Sequence, residues 1–213
     1  MNARQLFKYL LFKDTTFHGE FRLMERLAGP DAPRTFVDVG ANDGFYGSNS
    51  FPFVARGWRS LLIEPHPGAF TQLTARHAGR TNVKCLNVAC GPAAGEMELH
   101  IDPADSSQST LTPGAHPHFN TGRAAATSVR VQVRPLSEIL DAEGFADVGI
   151  LSIDTEGWDF QVLQSLDTTR HRPRCIVTED GDGAPNAQKH EWLRHHGYQP
   201  AGFIEPNSFW QRG

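Results

Sequence analysis

The chain has 213 residues, with 24 acidic and 20 basic side chains and a formal net charge of −4. That length suits one domain with a full sheet and helices on both faces, and the mild acidity gives no basic field for nucleic acid. No apolar run approaches a membrane span, so neither a membrane nor a nucleic-acid partner is expected.

The opening MNARQLFKYLLFKD is amphipathic and lacks a signal-peptide cleavage pattern, so the expected location is the cytosol. Residues 2–13 and 18–28 read as two helices, with Leu6, Tyr9 and Leu10, then Phe21, Met24 and Leu27, at helical spacing. Gly29-Pro30 ends the second. Residues 1–33 therefore form an N-terminal helical extension, either a packing piece over the sheet or a lid over an acceptor, and 34–213 form the main domain.

The most informative stretch is TFVDVGANDG, residues 35–44. Phe36, Val37 and Val39 make a short buried strand that stops at Gly40-Ala41-Asn42-Asp43-Gly44, residues suited to tight turns and positive φ. A strand, a glycine turn and then a helix make the first unit of a nucleotide-binding α/β sheet. The order is not the three-glycine pattern of a dinucleotide site, and Asp38 at the strand end would repel a pyrophosphate. An acid there suits a cofactor with a cationic end, such as S-adenosylmethionine. Gly40, Asn42 and Gly44 let that cofactor approach the backbone.

Phe45 to Arg56 is expected as the following helix; Pro52 is awkward in its interior, which moves the start towards Ser50. Residues 59–63 are the second strand, ending at Glu64, 26 positions beyond Asp38. A carboxylate there accepts hydrogen bonds from a ribose diol. Gly68 to His77 is a helix and Val83 to Val88 the third strand, which puts Asn87 and Ala89 beside an adenine. Residues 96–101 alternate like an edge strand, and SVRVQVR at 128–134 does so more clearly. The long stretch between them offers Ser107 and Ser109 as donors and His116 and His118 as bases, or simply solvated side chains.

Residues 148–159, VGILSIDTEGWD, give a fourth strand over 150–153 with Asp154 at its carboxyl end. Asp154 or Thr155 is expected to cap the next helix, with Trp158, Val162, Leu163 and Leu166 on its buried face. Open α/β sheets bind ligands at the carboxyl ends of strands, so Asp154 and Glu156 project into one crevice with Asp38 and Glu64. The alternative is a helix cap and a favourable first-turn acid. The fifth strand, residues 175–177, also runs into acids, Glu179 and Asp180. Asp154, Glu179 and Asp180 converging without a matching lysine or arginine would raise one another's pKa, and Mg²⁺ or Mn²⁺ would relieve that cost. A glycine-acid surface loop is the simpler reading of 178–183. A helix over 185–196 and two short strands, 198–204 and 208–211, complete a seven-stranded, mostly parallel sheet with a C-terminal antiparallel hairpin. Cys85, Cys90 and Cys175 fit neither a disulfide framework nor a metal spacing and read as small core residues.

VDVGANDG, IEPHP, VRPLSEIL, LSIDTEGWDFQVLQSL and IVTED, in that order across residues 37–180, resemble the FkbM family of S-adenosylmethionine-dependent methyltransferases. The resemblance covers about 34–210 and implies a class I methyltransferase (Rossmann-like) fold for 34–213. It implies methyl transfer to a hydroxyl of a sugar, glycan or polyketide-type small molecule. It carries over Asp38, Gly40, Asn42, Gly44 and Glu64 as cofactor residues, and Asp154 with Glu156 as catalytic acids. Asp154 with Glu179 and Asp180 is similar to the arrangement in metal-dependent sugar O-methyltransferases. The rival of another class is a non-catalytic cofactor-binding or scaffolding subunit, and a homodimer could complete an acceptor site.

Overall fold

The computed structural model describes residues 7, 9–11, 14–101, 109–112, 127–180 and 187–213. The first half holds α1 (Glu20–Ala28), β1 (Thr35–Val39), α2 (Phe51–Val54), β2 (Arg59–Ile63), α3 (Pro67–Arg76) and β3 (Val83–Leu86). Then come β4 (Ala89–Cys90), β5 (Gly95–Ile101), β6 (Thr127–Arg134) and α4 (Leu136–Ala142). The rest is β7 (Ile150–Ile153), α5 (Asp159–Gln164), β8 (Cys175–Glu179), α6 (Ala187–His195), β9 (Tyr198–Ile204) and β10 (Asn207–Arg212).

Seven strands form one sheet in the order β3-β2-β1-β7-β8-β10-β9. β1 pairs in parallel with both β2 and β7, while β10 runs antiparallel to β8 and β9. The sequence order reverses between β1 and β7, which opens a crevice at their carboxyl ends. β1 reads as a near-continuous apolar run because a central parallel strand is covered on both faces. Alternation along it sorts the side chains. Val37 and Val39 join Leu61, Ile63, Leu151 and Ile153 under α4 and α5, and Phe36 and Ile150 point the other way, under α1 and α2.

That second face is aromatic. Phe53 meets Phe36, Phe21 and Trp58 at ring separations of 5.0, 5.1 and 4.8 Å. Each such pair adds about 0.5–1.5 kcal/mol beyond the area it buries. Phe53 is the reason so short a helix as α2 persists.

Three expectations are corrected. Residues 45–50 are turns, and only Phe51–Val54 are helical; Pro52 sits in the first turn, where its missing N–H costs nothing, and the Ser48 hydroxyl accepts from the Phe51 N–H. β5 is an edge strand, as its alternation suggests, of a separate three-stranded sheet in the order β4-β6-β5. α5 starts at Asp159 with Trp158 at its N-cap, so neither Asp154 nor Thr155 caps it. The third strand stops at Leu86, where Asn87 turns to donate to the Glu64 and Pro65 carbonyls. Of the first expected helix, positions 7 and 9–11 are described and helical. Ser107, His116 and His118 lie outside the described residues.

Candidate active site

The glycine turn after β1 is fixed from both sides. Gly40 and Ala41 N–H both donate to the Ile63 carbonyl, and the Asp154 N–H donates to the Val39 carbonyl at 2.9 Å. Gly40 has φ +89°, and a Cβ there would lie 1.8 Å from the Asp154 carbonyl oxygen. Only glycine fits where β1 and β7 part. Asn42 holds a left-handed conformation at φ 49°, which asparagine tolerates better than most residues.

Glu64 locks this turn to its own strand end. Its Oε2 accepts from the Asn42 N–H at 2.8 Å and its Oε1 from the His66 N–H at 2.7 Å. A carboxylate oxygen has two lone pairs, so each keeps capacity for one further donor. Burial, eased by those two bonds, pushes the Glu64 pKa up to about 7. The His66 ring in turn caps α3, accepting from Gly68 and Ala69.

The cleft above these residues encloses about 540 Å³ of space continuous with solvent. Gly40, Asn42 and Glu64 form one side, Ala89, Cys90 and Leu99 the apolar wall, and Asp154, Thr155, Glu156 and Trp158 the other side. The second sheet supplies the wall, and the Trp158 indole N–H fastens it by donating to the Cys90 carbonyl at 3.0 Å. Ser109 lies on the rim, and Thr110 beside it donates to the Glu156 carbonyl at 2.7 Å. Glu156, at φ 53°, is strained for a non-glycine residue.

Carboxylate oxygens of Asp154, Glu156 and Glu179 lie within 4.8 Å of one another. Burial, then the charges of Glu179, Asp159, Asp38 and Glu64, hold the Asp154 pKa well above the usual carboxylate range. Asp159 holds the cluster together. One of its oxygens accepts from the Thr155 N–H and hydroxyl, the other from the Thr178 hydroxyl and Glu179 N–H. It therefore ties the end of β7 to the end of β8.

The sequence-derived set divides on this geometry. Gly40, Asn42, Glu64, Ala89, Asp154 and Glu156 meet in the cleft. Asp38 does not line it. By strand alternation Asp38 faces the opposite side from Val39, buried under α2, where the Ser50 and Ser152 side chains hydrogen-bond it. Burial raises its pKa to about 6. Gly44 turns from the cleft as well, its absent Cβ making room for Leu73 and His77 of the α3 region. Asp180 leaves the acid cluster. It pairs with the buried Lys189 ammonium at 3.0 Å and with His190 at 2.9 Å, and Lys189 also donates to the Glu179 carbonyl. A matching cation thus exists, on α6, brought to Asp180 by the fold and not by any local pattern. Trp158, Cys90, Leu99 and Asp159 were the missed members. Only the tryptophan and the aspartate stood in a motif, as GWD.

A family model described as Methyltransferase FkbM domain matches residues 38–200. Among solved structures, the methyltransferase FkbM from Methylobacillus flagellatus KT superposes with a TM-score of 0.53 at 16% identity, over 83% of this chain and 43% of that one. The chain thus spans less than half of that protein. A delta-N METTL16 MTase domain gives 0.50 at 12% identity over 97% of this chain and 91% of its own. The human methyltransferase 10 domain containing protein gives 0.50 at 12% identity, over 97% and 90%. At these identities the likeness is one of fold. No curated protein matches the chain.

Proposed function

Since the chain belongs to the methyltransferase FkbM domain family, we propose that it is an S-adenosylmethionine-dependent O-methyltransferase acting on a hydroxyl of a sugar, glycan or polyketide-type small molecule. One observation carries this reading: Gly40, Asn42 and Glu64 face Asp154 and Glu156 across one cleft at the carboxyl ends of β1, β2 and β7.

The residues present fit the cofactor. Glu64 keeps acceptor capacity for a ribose diol after serving two backbone donors. Ala89, Leu99 and Trp158 offer an apolar wall for an adenine. S-adenosylmethionine supplies a methyl carbon open to in-line displacement, and positioning provides much of the rate. Asp38 contributes charge from beneath the turn rather than contact.

The acceptor hydroxyl must lose its proton as its oxygen takes the methyl group. We assign the handling of that proton to Asp154, since a carboxylate whose proton affinity is held well above the usual range accepts a proton more readily. Burial, then the charges of Glu179 and Asp159, hold that proton affinity up, and Glu156 lies with Asp154 and Glu179 in one cluster and faces the same cleft. The same three oxygens could instead take one Mg²⁺ or Mn²⁺ in place of shared protons.

Calorimetric titration of S-adenosylmethionine and S-adenosylhomocysteine, with Mg²⁺ and again with EDTA, tests the cofactor. Binding in both conditions supports the reading, and binding lost with EDTA adds the metal. No binding in either leaves a scaffolding subunit with the fold retained. Asp154→Asn is expected to keep cofactor affinity and abolish methyl transfer to a hydroxylated glycan panel; retained turnover removes the assignment.

A further inference from the structure

A second feature lies beside the cleft. The described helical positions near the N-terminus turn only Tyr9 inward, its ring 5.3 Å from Phe45 and 6.0 Å from Phe51. Phe7, Leu10 and Leu11 are left 62%, 60% and 58% exposed. Their spacing of three and four puts them on one face of a helix. Exposed apolar residues are ordinary one at a time, but three on one helical turn are not. Next to Phe45, the exposed rings of Tyr46 and Phe17 meet at 5.1 Å.

Charge says what covers this face. The first thirteen residues carry Arg4, Lys8 and Lys13 and no acid, in a chain whose net charge is −4. Two exposed arginines stand over the rings on which Tyr9 rests: Arg76 lies 4.7 Å from the Phe45 centroid and Arg80 5.9 Å from that of Phe51. Arg76 also pairs with Asp43 at 3.0 Å. A second copy docking by two-fold symmetry would set these cations against themselves. An exposed face of Phe and Leu, in a stretch of sequence whose charges are all Lys and Arg, suits the headgroup region of an anionic bilayer.

We propose that the face formed by Phe7, Leu10 and Leu11 docks the chain on an anionic lipid surface. The expectation of no membrane partner rested on the lack of a span, and no described helix is long and apolar enough to cross a membrane. A helix lying in the interface needs no span. Phe45, the rest for Tyr9, follows the turn that carries Asn42 into the cleft, so docking here brings the cleft mouth close to the lipid. The inference stands independently of the methyl-transfer reading.

The test is flotation of the full chain with vesicles of mixed phosphatidylglycerol and phosphatidylcholine, against phosphatidylcholine alone. Binding to the anionic vesicles should be at least about tenfold tighter. Leu10→Glu with Leu11→Glu should lose it while keeping the wild-type thermal midpoint, since both side chains are already exposed. Arg4→Gln, Lys8→Gln and Lys13→Gln together should lose the anionic preference without touching the apolar face. Equal flotation with both lipids, or undiminished flotation of the leucine variant, overturns the proposal. So does a wild-type dimer by light scattering that the leucine variant dissolves, with no flotation; that result assigns the face to a second copy.

Discussion

Replacing Gly40 with alanine tests the geometry on which the whole cleft depends, and Gly57→Ala supplies its control. Both glycines have positive φ, +89° and +79°, but a Cβ at 57 meets nothing within 4 Å whereas one at 40 would lie 1.8 Å from the Asp154 carbonyl oxygen. Each alanine must hold a left-handed backbone, at about 1–2 kcal/mol. Only at 40 must the ends of β1 and β7 also separate, by roughly an ångström, to relieve the overlap. That shift works against the Asp154 N–H to Val39 carbonyl bond and the close packing around it, adding about 1–3 kcal/mol. Gly57→Ala should therefore lower stability by about 1–2 kcal/mol and Gly40→Ala by about 2–5 kcal/mol. In a domain of this size each kcal/mol moves the thermal midpoint by about 2–4 °C. Urea unfolding of the ligand-free chain reads both, with unchanged m-values expected. Equal midpoints for the two variants would show that the strand ends are slack, and the argument that the backbone fixes the cleft floor would fail.

Other expectations follow from the same site. Glu64, raised from 4.5 to about 7, keeps its proton in the folded chain over a range where the unfolded chain releases it. Its contribution to stability therefore falls as pH rises through that window, by on the order of 3 kcal/mol in all. Glu64→Gln does not titrate, so its urea midpoint relative to wild type should climb from pH 4.5 to above 7; a flat difference would contradict the burial argument. Trp158 forms part of the cleft wall, so cofactor binding should quench intrinsic fluorescence, and Trp158→Phe should lose that signal while Trp58→Phe keeps it. Burial pushes the Cys90 and Cys175 thiols up to about 12, so neither should react with a disulfide reagent at mild alkaline pH until the chain unfolds. Rapid labelling of all three native thiols would contradict their placement.

The main sheet was legible because its strands are short apolar runs with unmistakable stops. Gly40, Glu64 and Asp154 each stand at such a stop, and all three reach the cleft. Local patterns failed where a contact came from far along the chain. The alternation of residues 96–101 announces a strand but not its partner, and β5 pairs with β6 rather than with the main sheet. Asp38 shows a different failure. Its position at the strand end was read correctly, yet a one-residue step decides which face a strand side chain takes, and its even step from Phe36 turns it under α2. Asp180 was misplaced because Lys189 and His190, nine and ten residues later, return on α6 to claim it. Asp159, which closes the 148–159 stretch with no role of its own legible there, accepts four donors from two strand ends, a role set by tertiary contacts alone.

The small second sheet has an evolutionary implication. Two bonds tie it to the body: the Trp158 indole N–H donates to the Cys90 carbonyl of β4, and the hydroxyl of Thr110, bridged to β5, donates to the Glu156 carbonyl. The chain leaves the nucleotide-type core after β3 and re-enters it at α4, so changes between Ile101 and Thr127 leave the register of the seven strands untouched. Lengthening such a connection twofold costs only about 0.6 kcal/mol in closure entropy. Descendants of this chain can therefore change the cleft lining around Ser109 and Leu111 by insertion, deletion or drift there. The glycine turn, Glu64 and the acid cluster, embedded in strand ends that tolerate no slip, would stay as they are.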